Sequence, residues 1–172
     1  RPYLYTITPF VTYRVLEQIR VDLCYHHQPV VIVGTGAGLS YASLGATHHS
    51  CEDIAVMRAL PGMTVVCPGD PPEVGAAVKA TVGCDGPVFL RIGKKGEPAV
   101  HASTPELRIG RAITVRPGRD VCILSTGNVL PLACETAQAL EASNLVAGVM
   151  SMHTVKPLDV EMLEEAFFGR FR

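Results

Sequence analysis

The sequence predicts an α/β protein, a mostly parallel sheet flanked by helices and followed by a partial second α/β unit. Three observations predict it. Short β-branched runs alternate with segments of helical period. One of these runs, "PVVIVG", is apolar without interruption, as a strand covered on both faces requires. Breaks rich in Gly and Pro separate the runs.

Taken in order, "YLYTI" is a strand, and Thr8-Pro9 supplies an N-cap followed by proline at the first helical position. Val11, Val15, Leu16, Ile19 and Leu23 then fall on one face while Arg14, Glu17 and Arg20 lie away from it, the pattern of an amphipathic helix. "PVVIVG" is the second strand, and a glycine-containing loop spans residues 34 to 49. Ser50 stands before Cys51, Glu52 and Asp53, an N-cap with acids in the first turn where the helix dipole favours negative charge. Ile54, Met57 and Leu60 give that helix a buried stripe, and Pro61-Gly62 ends it. "MTVVCP" is the third strand. Asp70, followed by Pro71, Pro72 and Glu73, opens another helix, whose Val74, Val78 and Val82 predict a buried stripe up to Gly83. "PVFLRIG" is the fourth strand, and the alternation predicts right-handed crossovers.

Residues 1–92 therefore read as one domain and residues 93–110, "GKKGEPAVHASTPELRIG", as a linker. Residues 111–172 hold two strands about the turn Pro117 to Asp120, a helix near Leu130 to Leu140, the strand "LVAGVMSM", the loop "HTVKPLD" and a helix from Val160. So few elements bury little surface, so this is expected to be part of a domain and the chain a piece of a longer one.

Charge and composition exclude several classes. With 15 basic and 16 acidic residues and a net charge of -1, no basic patch points to nucleic acid. The longest apolar run falls well short of the roughly 20 residues that cross a bilayer, so no membrane partner is expected. Cys24, Cys51, Cys67, Cys84, Cys122 and Cys134 form no C-x-x-C pair and sit mostly in apolar segments, which suits reduced thiols in the cytoplasm. "RPYLYTITPF" lacks a signal-peptide pattern.

The tandem His48-His49 in "SLGATHHSCED" lies at the carboxyl end of a strand, where open parallel sheets place their sites. These residues read either as a ligand or proton-transfer pair or as loop histidines satisfying backbone groups. No metal site is expected, since adjacent side chains diverge and no third ligand follows at a known spacing.

The stretch "GATHHSCEDIAVMRALPGMTVVCPGDPPEV" resembles the pyrimidine-binding domain of the transketolase family of thiamine diphosphate enzymes. The shared positions are Gly45, Thr47, His48, His49, Glu52, Arg58, Pro61, Met63, Pro68, Asp70 and Glu73. The likeness runs back through "TITPFVTY" and forward through "FLRIGKKGEP", and "HTVKPLD" resembles part of the family's carboxy-terminal domain.

The resemblance implies a thiamine diphosphate-dependent transferase component that moves a two-carbon ketol unit between small sugar-type substrates. It implies a site between chains of a homo- or hetero-oligomer such as a dimer, with diphosphate and Mg²⁺ held mainly by a separate domain or subunit. Phe10 would stack on the pyrimidine with Tyr13 one turn on, and His48 would be the catalytic residue facing the substrate's oxygens. His49 and Arg91 would bind substrate, Arg91 holding a sugar phosphate; a structural salt bridge is its alternative role. Leu44 stands where transketolases usually carry an acid, and Gly36 falls near a phosphate-contacting histidine of theirs. The family's catalytic glutamate would lie upstream of Arg1, and Glu17 is read as a surface residue. These departures leave open a beta-type subunit of a 2-oxo acid dehydrogenase, a deoxyxylulose-phosphate synthase-like enzyme, or a non-catalytic assembly module.

Overall fold

The computed structural model describes residues 1–170 of the 172. Its strands are β1 (Tyr3–Ile7), β2 (Val31–Thr35), β3 (Thr64–Val66), β4 (Val88–Ile92), β5 (Ile113–Arg116), β6 (Val121–Ser125), β7 (Ala147–Ser151) and β8 (Thr154–Lys156). Its α-helices are α1 (Thr8–Val11), α2 (Leu16–Gln18), α3 (Asp53–Ala59), α4 (Pro71–Thr81), α5 (Leu130–Leu140) and α6 (Val160–Glu165). Five strands form one sheet in the order β1-β2-β4-β3-β8, and three form another in the order β5-β7-β6. The first four strands of the larger sheet run parallel and β8 enters antiparallel beside β3. In the smaller sheet β6 is parallel to β7 and β5 antiparallel.

Alternation along the central strands separates two cores. Ile32, Val65 and Phe89 face one side of the larger sheet and pack with Val11, Ile19 and Met57. Val31, Val33, Val88 and Leu90 face the other and pack with Ala77 of α4. The uninterrupted apolar run of β2 is thereby buried along its whole length.

Five sequence expectations change. The amphipathic helix from Thr8 is broken: after α1 comes a 3₁₀ turn (Tyr13–Val15), then α2, then a π-helical stretch (Ile19–Tyr25). Its β-branched residues crowd a regular helix, and the Thr12 hydroxyl donates to the Thr8 carbonyl at 2.8 Å. The apolar face persists, with Val11 and Ile19 buried. Second, Thr8 does not cap the helix; its hydroxyl donates to the Thr35 carbonyl at 3.0 Å and ties α1 to the end of β2.

Third, Ser50 is not an N-cap. Its backbone pairs with Gly38 through two hydrogen bonds of 2.9 and 3.1 Å, which fastens the loop after β2, and α3 starts at Asp53. Fourth, α4 packs through Glu73, Ala76, Ala77 and Thr81, whereas Val78 and Val82 are 39% and 64% exposed. Alanines let the helix approach the sheet closely, and the valines face outward beside Tyr3 of β1, whose hydroxyl meets Thr81 Oγ1 at 3.0 Å. Fifth, "HTVKPLD" is not a plain loop, since β8 belongs to the larger sheet.

Candidate cofactor and substrate site

The carboxyl ends of β2 and β4 carry the site. From β2 the chain enters the loop of residues 36–49, pinned at its base by the Gly38–Ser50 pairing. That loop delivers His48, whose amide donates to the Gly45 carbonyl at 3.0 Å and whose Nδ1 lies 2.9 Å from Thr47 Oγ1. From the end of β1, α1 delivers Phe10. The two rings meet edge to face with centroids 5.1 Å apart and an interplanar angle of 67°. Both residues are half-buried.

The neighbouring histidine turns elsewhere. His49 Nε2 lies 3.3 Å from the Ala42 carbonyl, and the ring lines a cleft of about 530 Å³ with Tyr13, Cys51 and Glu52. Tyr13 donates its hydroxyl to Glu52 Oε2 at 3.0 Å, and partial burial holds its proton more tightly than usual. Thus the structure brings Phe10 to His48 and Tyr13 to His49, as two adjoining pairs.

Arg91 sits beneath the loop, only 9% exposed. Its Nε donates to Asp53 Oδ2 at 2.7 Å and its Nη2 to the Ser50 carbonyl at 3.2 Å. The arginine therefore ties the end of β4 to the start of α3 just after the histidines. Glu17 is exposed on α2, away from these contacts.

Sequence reasoning missed four side chains here. The Arg14 guanidinium carbon lies 4.1 Å from the centre of the Phe10 ring, Tyr41 and His48 meet in a T-shaped arrangement at 6.1 Å between centroids, and Lys94 Nζ stands 4.8 Å over the Tyr41 ring. A cation thus covers each end of a three-ring row, Phe10–His48–Tyr41. Asp53, read only as a first-turn acid, is completely buried as the partner of Arg91. No spacing rule pairs residues so far apart; only an aromatic in a glycine-rich loop hinted at Tyr41.

A second polar group lies behind the site. Asp70 caps α4 by accepting from the Glu73 amide at 2.9 Å, and its other oxygen accepts from the Val100 and His101 amides, each at 2.8 Å. Burial works against the charge of Asp70, but these amide donors hold its pKa below the usual value. Glu73 accepts from the Gly69 amide at 2.7 Å and from the Ser151 hydroxyl at 2.9 Å, while burial pushes its pKa up. Asp70, Glu73 and His101 have potential ligand atoms within 4.8 Å of one another, but the inward oxygen of Asp70 is already saturated by amides. The group joins α4, the connecting segment and β7.

Comparison with known sequences decides the family. The sequence profile of the transketolase pyrimidine-binding domain matches residues 1–97, and that of the transketolase C-terminal domain matches residues 110–168. The chain belongs to the transketolase family. It is 38% identical over 158 residues to an apulose-4-phosphate transketolase subunit of Phocaeicola vulgatus, covering 91% of this chain and 51% of that protein. It is 35% identical over 172 residues to the 1-deoxy-D-xylulose-5-phosphate synthase of Methylacidiphilum infernorum, covering 99% of this chain and 27% of the synthase. Among solved structures, a split-gene transketolase described as an inactive beta4 tetramer superposes with a TM-score of 0.87 at 36% identity, covering 96% of this chain and 53% of that one. The chain spans about half the length of the transketolase subunits it matches. Among the described residues, no helix is long and apolar enough to cross a membrane.

Proposed function

We propose that this chain is the pyrimidine-binding part of a thiamine diphosphate-dependent transketolase, acting with a subunit or domain that holds the diphosphate and Mg²⁺. The observation that carries the reading is the contact between Phe10 and His48 at the carboxyl edge of the parallel sheet. An aminopyrimidine is flat and needs a flat apolar surface. Phe10 offers one, and its face already accommodates a planar guanidinium at 4.1 Å. The apolar ring face thus fits the cofactor's pyrimidine, which Phe10 would hold in the place that the Arg14 guanidinium occupies here. When bound, the cofactor supplies carbanion stabilisation during transfer of the two-carbon unit.

The chain's own residues have separate tasks. His48 gives or takes a hydrogen bond at the substrate oxygen, with the T-shaped contact to Phe10 and the Thr47 hydroxyl fixing its ring plane. Tyr13 and His49 line the adjoining cleft, where Tyr13 would contact the cofactor and His49 the substrate. Arg91 acts as a positioning residue: its bonds to Asp53 and the Ser50 carbonyl support the structural alternative over phosphate binding. Cys24, Cys51, Cys67, Cys84 and Cys134 are free thiols, which supports placement in the cytosol. Residues 1–92, 93–110 and 111–172 are proposed as domain, connector and partial second domain.

The test uses the full-length protein purified with its diphosphate-binding subunit, thiamine diphosphate and Mg²⁺. Ketol transfer from a ketose to an aldose acceptor supports the proposal. Condensation of pyruvate with an aldose, and no ketol transfer, moves the chain to the synthase branch.

A further inference from the structure

We propose that Glu73 and His101 form a divalent-cation site at the junction of α4 and the connecting segment, with Glu73 Oε1 and His101 Nε2 as ligands and Asp70 as the outer carboxylate that aims the imidazole. The ion is a structural clamp, separate from the Mg²⁺ of the cofactor, and the site stands independently of the reaction proposed above.

The ligand atoms are two acceptors held face to face. His101 Nδ1 lies 3.1 Å from Asp70 Oδ2. A carboxylate only accepts, so Nδ1 carries the ring proton and Nε2 presents its lone pair. Glu73 Oε1 lies 3.9 Å from that nitrogen. Glu73 is completely buried, and neither Oε1 nor Nε2 has a hydrogen-bond partner among the described residues. Two lone pairs kept together out of water call for something positive between them. A shared proton does not bridge 3.9 Å, whereas two metal bonds of about 2.0–2.2 Å do.

Both ligands are positioned by bonds of their own. Glu73 Oε2 accepts from the Gly69 amide at 2.7 Å and from the Ser151 hydroxyl at 2.9 Å, which leaves Oε1 as the oxygen available to an ion. The His101 amide donates to Asp70 Oδ2 at 2.8 Å, so one carboxylate anchors both the backbone and the ring of the histidine. A carboxylate behind a ligating imidazole fixes its tautomer and raises its basicity. Asp70 has its oxygens engaged by these donors and therefore acts from behind the imidazole, not on the ion.

Charge points the same way. Asp70 and Glu73 are buried acids, and among the described residues neither pairs with a lysine or an arginine; His101 is their one basic neighbour. Buried carboxylates without a cation are costly, and a divalent ion offsets that charge. An imidazole nitrogen with a carboxylate oxygen suits Zn²⁺, whereas Mg²⁺ and Ca²⁺ take shells of oxygen. The His101 side chain is 14% exposed, and Gly69 and Asp70 line a cavity of about 340 Å³, which gives the ion an entry path and water for its remaining positions. The clamp joins α4 to the connecting segment and, through Ser151, to β7.

The test uses the full-length protein assembled with its diphosphate-binding subunit and saturated with thiamine diphosphate and Mg²⁺, in a Cys51→Ser background that removes an exposed thiol. Equilibrium dialysis against micromolar Zn²⁺ is expected to load one more ion per chain in this parent than in His101→Gln. The ion raises the Tm of the parent by about 5 °C and leaves that of the variant in place. Asp70→Asn keeps an acceptor at the helix cap and is expected to bind Zn²⁺ about 10–100-fold more weakly. Co²⁺ used in place of Zn²⁺ gives a visible absorption band in the parent that His101→Gln lacks. Equal metal content in the parent and His101→Gln, the result expected if a water molecule joins the two atoms, overturns the site. Undiminished affinity in Asp70→Asn overturns the role of the outer carboxylate.

Discussion

Phe10 and His48 touch edge to face, from two segments separated by a whole strand-loop excursion. Because one ring is assigned to the cofactor and the other to the substrate, their substitutions separate. Phe10→Ala is expected to weaken thiamine diphosphate binding about ten-fold, the order of one lost aromatic contact. His48→Ala is expected to lower kcat roughly 10²–10⁴-fold. Titration calorimetry for the cofactor and coupled kinetics for turnover, both on the assembled protein, read the two effects independently.

Arg91 and Asp53 form a buried pair, and Asp53 Oδ1 has no further hydrogen-bond partner among the described residues. Removing the arginine strands a carboxylate out of water. Arg91→Met is expected to cost about 3–5 kcal/mol, and Arg91→Met with Asp53→Leu to recover much of it, because the stranded charge is gone. Urea unfolding midpoints measure both. A role confined to substrate phosphate predicts no loss of stability in the single variant.

His153 is completely buried, its Nδ1 2.9 Å from Thr154 Oγ1, and burial pushes its pKa down to about 4, against the opposing pull of the Asp159 carboxylate. The folded state therefore binds this proton less readily than the unfolded chain, whose histidine titrates near 6.5. Stability from this group is complete above that value and falls as pH drops from 6.5 through about 4, by about 3 kcal/mol in all. His153→Leu flattens the slope of unfolding free energy over this range. The loss from Asp70, whose pKa is lowered, belongs to more acidic conditions, below the ordinary carboxylate value near 3.8.

Asp70→Ala removes an N-cap worth about 1 kcal/mol and leaves the partly buried Val100 and His101 amides without their acceptor, each costing about 1–3 kcal/mol. Thermal melts give the sum. Hydrogen exchange distinguishes the causes: amides 100 and 101 lose protection well before those of β2 if the carboxylate is what holds the connecting segment.

Much of this architecture is legible in residue patterns. The β-branched runs of β2 and β4 and the Asp70-Pro-Pro-Glu opening of α4 appear where the sequence places them, because burial on two faces and a capping side chain are local demands. The helix after β1 kept its apolar face but not its regularity; periodicity sees which residues face the core and is blind to a Thr12 hydroxyl competing for a carbonyl. Val74, Val78 and Val82 misled for a related reason. A stripe predicts that some face is covered, and tertiary packing chose the alanines. At the site, motif likeness singled out Phe10, His48 and Arg91, whereas Tyr41, Lys94 and the depth of Asp53 depend on loop geometry that no spacing encodes.

The return of β8 to the larger sheet has a topological consequence. The connecting segment is exposed at Ala102, Ser103 and Thr104, yet the chain on either side of it is laced together by the β3–β8 ladder and by the Glu73 carboxylate, which accepts from the Ser151 hydroxyl. Cutting the backbone at those residues severs one covalent thread and leaves the fabric joined. The two halves should co-migrate after such a nick, and a gene split at this point encodes pieces that can find each other again.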